Sequence, residues 1–145
     1  MLSFDTNVAV HALNPSSSSH EPCLRFVSSL AGRSDVAICE LMLVELYLKL
    51  RNERIFPKPL SGEQAVAVCQ QYRANRTWRL IDSAPVMDEV WMRARAAQFA
   101  FRRIIDLRLA LTLRHHGVTS FATTNARDFR DAGFEELLNP VEVFV

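Results

Sequence analysis

Four acidic residues stand where a carboxylate needs a reason. Asp5 directly follows the first apolar run, in "MLSFDTNVAV", where a first strand should be ending. Glu45 interrupts "LMLVELYL" and Asp106 interrupts "IIDLRLAL", both apolar stretches of helical character. Asp128 comes just after "VTSFATT", in "TTNARDF". A carboxylate inside an apolar run is costly to bury unless it is paired or bound to a metal. Each acid alone has an ordinary explanation. Asp5 and Asp106 could cap helices, Glu45 could pair with an arginine, and Asp128 could close an Asx-turn. Four that converge would repel one another. The arrangement then suits a hard divalent cation, Mg2+ or Mn2+, held by Asp5, Asp106 and Asp128, with Glu45 completing the catalytic set. Such an ion activates water and stabilises charge on phosphate oxygens during hydrolysis. Thr6, Thr124 and Asn125 could orient the carboxylates or bound waters.

The elements that must bring these residues together are legible as alternating strands and helices. "MLSF", "DVAIC", "TWRLID", "VTSFATT" and "VEVFV" read as strands. "NVAVHALN", "HEPCLRFVSSLAG", "ELMLVELYLKLRN", "SGEQAVAVCQQYRA", "APVMDEVWMRARAAQF" and "DLRLALTLRHHG" read as helices. Gly32 and Gly117 are placed to end two of them, and Ser61 with Gln64 fits a capping box. "IFPKPL" must be a loop, since two prolines break it, and "ARDFRDAG" a turn or short helix. This order predicts an α/β fold in three layers, a mostly parallel central sheet flanked by helices. In such sheets ligands gather beyond the carboxyl ends of the strands, which is where Asp5 and Asp128 fall.

The chain of 145 residues, 49% hydrophobic, suits one globular domain spanning 1–145. No apolar run approaches the roughly 20 residues that span a bilayer. The start lacks a basic region, so the expectation is a cytoplasmic protein with no membrane partner. Cys23, Cys39 and Cys69 are scattered and read as reduced packing residues. Glu40, at a helix start, reads as structural. His115 and His116, at a helix end, read the same way, and no histidine is assigned to catalysis. Trp78, Trp91 and the phenylalanines fall at core-like spacings. Net charge is only +1, yet all but two of the 17 basic residues are arginine, the better fork for phosphate. Several cluster between Arg73 and Arg114, and Arg102, Arg103 and Arg108 are the candidates for contact with phosphate.

"FDTN", "VELYLKL", "IIDLRLALTLRHHGVTSFATTNARDF" and "LNP" together resemble the PIN domain family, and within it the VapC-type ribonuclease toxins of bacterial toxin–antitoxin pairs. "RIFPKPLSGEQA" is similar to the middle of one group of these toxins. The resemblance implies Mg2+- or Mn2+-dependent RNA cleavage at Asp5, Glu45, Asp106 and Asp128, with Thr124 and Asn125 in the segment before the last acid. It also implies a homodimer and a cognate antitoxin that blocks the site. The chain departs from many relatives at Arg108 and Leu109, where a small residue is usual, and at "RRII", where some carry a further acid. A receiver domain would need a late lysine after a strand, and only Lys49 and Lys58 are present. A haloacid-dehalogenase-type phosphatase would need Asp-x-Asp at the first strand. Cleavage of structured DNA, a role in RNA processing, and a non-catalytic PIN-like module remain as alternatives.

Overall fold

Three-residue apolar strands alternate with longer helices throughout the computed structural model, which describes residues 1–144. The chain runs β1 (Leu2–Phe4), α1 (Thr6–Leu13), α2 (His20–Leu30), β2 (Ala37–Cys39), α3 (Glu40–Leu50), α4 (Gly62–Arg73), β3 (Arg79–Ile81), α5 (Met87–Ala94), α6 (Ile104–His115), β4 (Ser120–Ala122), β5 (Glu136–Leu138) and α7 (Pro140–Val143). Short 3-10 turns occupy Phe101–Arg103 and Ala126–Phe129.

All the strand ladders are parallel: β1 with β4, β4 with β5, and β2 with β3. A parallel bridge between Leu2 and Val36 joins the two groups, so the strands lie in the order β3-β2-β1-β4-β5. The central β1 and β2 are wholly buried, as continuous apolar runs covered on both faces must be. The edge strand β3 exposes Arg79 and Leu80. The right-handed rule for parallel crossovers sets α1–α4 on one face and α5–α6 on the other. Packing agrees, with α1 against α2 and α3, α3 against α4, and α5 against α6. The main core joins Phe4, Ile38 and Phe121 from the strands to Phe26, Leu30, Leu46, Leu109 and Leu113 from the helices. A smaller cluster of Val86, Val90, Leu107 and Leu111 glues α5 to α6. Among the described residues, no helix is long and apolar enough to cross a membrane.

Local chemistry explains most boundaries. Ser61 and Gln64 form the reciprocal capping box that opens α4. Gly117 follows α6 with φ of 88°, a left-handed conformation that favours glycine. Gly32 does not act this way: α2 ends at Ala31 in a right-handed conformation, and Gly32 has no positive φ. All three cysteines are free, and Cys23 and Cys39 are buried. "VEVFV" is not a strand. Asn139 accepts a hydrogen bond from the Val141 amide and Pro140 sits in the first turn, so residues 140–143 form α7. The last strand lies earlier, at Glu136–Leu138, and Val145 is outside the described residues. Trp78 packs in the core and its indole N–H donates to the Leu30 carbonyl at 2.8 Å. Trp91 and Phe101 do not: they are 59% and 78% exposed.

Candidate active site

The chain leaves β1 toward β2 and β3, then returns to place β4 on the other side of β1. The crevice between the ends of β1 and β4 is therefore the topological switch point, where open α/β sheets bind ligands. Phe4 pairs with Ala122 there, and the Asp5 amide extends the ladder by donating to the Ala122 carbonyl at 2.8 Å. Asp5 and the segment that follows β4 are thus fixed side by side by strand register.

Asp5 is only 4% exposed and stands at the N-cap position of α1, yet its side chain makes no capping hydrogen bond. Instead it accepts from the Thr123 hydroxyl at 2.9 Å. Burial raises its pKa above the ordinary carboxylate value. The Thr123 hydrogen bond, the positive charge of Lys49 and the amides of Asn7 and Thr6 pull the other way. Thr6 is fully buried, with a hydroxyl that has no partner. Thr123 was not among the expected site residues. Its neighbour Thr124 was, but Thr123 is the one buried against Asp5, and it also accepts from the Asn125 amide at 2.9 Å.

Glu45 faces the same space from α3. Burial first, then the negative charges of Asp106 and Asp5, push its pKa up to about 7, against a lowering pull from Lys49. Its Oε1 is buried without a hydrogen-bond partner, and among the described residues no arginine forms an ion pair with it. Asp106 lies in the first turn of α6 but caps nothing. Burial, and then the charges of Asp5 and Asp128, raise its pKa to about 6, with Lys49 and Arg103 pulling it down. Asp128 lies in the turn after β4, where the Asn125 side-chain amide donates to its carboxylate at 2.5 Å. The structure thus brings Asp5, Glu45, Asp106 and Asp128 into one electrostatically coupled group, with Asn125 holding the last.

Lys49 was also missed. Its ammonium donates to the Asn7 side chain at 2.6 Å, and its charge reaches Asp5, Glu45 and Asp106. The signal was the spacing: Lys49 follows Glu45 by four residues, one helical turn. The arginines divide. Arg103 donates to the Asp131 carboxylate and to the Asp128 carbonyl, both at 2.6 Å, so it fastens the acidic turn instead of standing free for phosphate. Arg102 and Arg108 are exposed. Glu40 pairs with Arg73 at 2.7 Å, and His116 donates its Nε2–H to the Ser83 carbonyl at 2.8 Å.

Hard carboxylate oxygens, one of them buried and unpartnered, are a donor set that fits Mg2+ or Mn2+. As they stand, no three His, Cys, Asp or Glu side chains among the described residues are gathered closely enough to hold an ion. Among the described residues no side-chain hydrogen bond restrains Glu45 or Asp106, so rotation of these two could close the gap.

Comparison with known proteins bears on the family and the fold. Over 141 residues the chain is 50% identical to Ribonuclease VapC24 of Mycobacterium tuberculosis (strain ATCC 25618 / H37Rv), covering 97% of each. Its fold is similar to that of FitAcB from Neisseria gonorrhoeae, with a TM-score of 0.64, 20% identity and coverage of 97% and 98% of the two chains. It is also similar to that of M. tuberculosis VapC20, a sarcin-ricin loop cleaving toxin, with a TM-score of 0.65, 17% identity and coverage of 92% and 96%. The PIN domain family matches residues 3–135, and this chain belongs to that family.

Proposed function

We propose that this chain is a metal-dependent endoribonuclease and the toxin of a type II toxin–antitoxin pair. The observation that carries the reading is a buried Asp5 at the switch point, charge-coupled to Glu45 and Asp106. Half-identity to a named ribonuclease over nearly the whole chain supports it.

Asp5, Asp106 and Asp128 would hold Mg2+ or Mn2+. When bound, such an ion lowers the pKa of water and offsets charge developing on the scissile phosphate. The protein's own groups do the rest. Thr123 fixes one oxygen of Asp5, and Asn125 fixes one oxygen of Asp128. Arg103 ties the Asp128 turn to the entry of α6, so the two acids approach from defined directions. Glu45 Oε1 has no partner and a pKa near neutrality, which suits it to take a proton from the attacking water. Lys49 keeps part of the acidic charge balanced before substrate arrives.

The partners follow from the same reading: RNA as substrate, an antitoxin that covers the acids, and a second copy of the chain. Val44 and Leu48 on α3 and Ile105 on α6 are exposed apolar residues lining one groove, which offers a surface for such contacts. RNA as substrate puts the reaction in the cytoplasm. Expression in bacterial cells, with new RNA 5′ ends mapped across the transcriptome, tests the proposal. New ends that appear with the natural sequence and not with Asp5→Asn support it. Identical RNA profiles from the two proteins would refute it.

A further inference from the structure

Beside the acids lies a shelf of exposed aromatic rings that the fold does not use. Trp91 on α5 and Phe101 in the turn before α6 are the members with most surface in solvent. With Phe99, Ile104 and Arg95 they line one shallow pocket that contains no carboxylate. Large exposed rings in a contiguous patch mark a binding surface more often than chance.

The charge around the shelf is unbalanced. Arg93 is paired with Glu89 and Arg103 with Asp131, each at 2.6 Å. Arg95 and Arg102 are exposed and, among the described residues, form no ion pair. The Arg102 guanidinium sits 5.6 Å from the Phe101 ring centroid, and that of Arg103 sits 6.0 Å from the Phe99 centroid. These contacts preset the rings and leave Arg102 with donors free. Two copies pressed shelf to shelf would oppose their unpaired guanidinium groups, whereas a polyanion would meet them. The shelf is also in the right place. The Phe101–Arg103 turn runs straight into α6, whose first turn carries Asp106, and Arg103 reaches the Asp128 carbonyl. A strand crossing the acids could continue over it.

We propose that Trp91 and Phe101 form a stacking platform for the bases of single-stranded RNA next to the acidic site, with Arg95 and Arg102 meeting its phosphates. The proposal rests on the ribonuclease reading. Flat rings accept any base, so the platform supplies grip and direction without reading sequence.

The test uses the full chain carrying Asp5→Asn, so that RNA is bound and not cut, and a mixed-sequence single-stranded oligoribonucleotide as probe. Affinity is measured by fluorescence anisotropy across a salt series, alongside tryptophan emission. Trp78 is buried, so quenching on RNA binding reports Trp91. Adding Trp91→Ala and Phe101→Ala together should weaken binding about tenfold or more and leave the salt slope unchanged. Adding Arg95→Gln and Arg102→Gln instead should weaken binding and reduce the slope by about 1.4, as two lost single-strand phosphate contacts require. Both pairs are on the surface, and circular dichroism melts check that the fold is kept. Unchanged affinity in the aromatic pair overturns the platform. So does unchanged affinity with a loss of dimer in light scattering, which would make the shelf a contact between copies. If the parent protein binds no RNA and the natural sequence cuts none, the ribonuclease reading falls as well. Binding and cutting that survive loss of the rings remove the platform alone.

Discussion

Glu45 and Asp106 hold protons in the folded chain that they would release in water. Their ordinary values of 4.5 and 3.8 become about 7 and about 6. A carboxylate raised on folding adds stability that is complete below its unfolded value and disappears as pH rises through its folded value. The metal-free protein should therefore melt at progressively lower temperature between about pH 4 and about pH 7. Glu45→Gln should flatten that decline and raise the melting temperature in EDTA at pH 8 by about 2–4 °C, the shift that about 1 kcal/mol produces in a chain of this size. Thermal scans in EDTA across the pH range check both. Thr123 works on Asp5 in the opposite sense, because its hydroxyl favours the charged carboxylate. Thr123→Val should move the acidic limb of the cleavage pH profile upward and cut activity at neutral pH about tenfold, the cost of one buried hydrogen bond to a charged group. Thr123→Ser should restore most of it. A pH profile of the two variants decides whether the hydroxyl or the packing matters.

Among the elements, the turn from Asn125 to Asp131 depends on a partner far along the chain. Arg103 ties it to the start of α6 through Asp131 and the Asp128 carbonyl. Arg103→Gln should cost about 1 kcal/mol, within the range of hydrogen bonds to charged groups at a half-exposed site. It should lower cleavage by mispositioning Asp128 and leave the salt slope of RNA binding unchanged. A reduced slope would restore Arg103 to the phosphate contacts. That the four acids sense one another's charge was legible because each interrupts an apolar pattern or follows a strand. Which of two adjacent threonines meets Asp5 was not, since it depends on the register of β1 against β4, residues more than a hundred positions apart. The pairing of Arg103 was hidden for a similar reason: a sequence shows a charge but not the carboxylate folded beside it. "VEVFV" misled because its β-branched residues favour strands, while the asparagine cap and Pro140 before them start a helix. Trp91 and Phe101 have the composition of a core, yet Trp91 sits on the solvent side of α5 and Phe101 in the exposed turn before α6.

At the scale of the whole molecule, the order β3-β2-β1-β4-β5 positions the candidate site. It sets the ends of β1 and β4 together at the switch point, while α3 and α6 bring Glu45 and Asp106 from elsewhere in the chain. Metal should bind this folded arrangement and not the unfolded chain, stabilising by about 2.7 kcal/mol at a hundredfold excess over its dissociation constant. Asp128→Asn should raise the melting temperature in EDTA and lose most of the further rise on adding Mn2+. If it keeps the full Mn2+ shift, Asp128 is not a ligand. The most direct test of the central claim is cleavage of single-stranded RNA by the purified protein with Mg2+ or Mn2+, with EDTA, and with Asp5→Asn in the presence of metal. The account predicts cleavage only by the natural sequence with metal present. Equal cleavage by a folded Asp5→Asn protein would contradict it.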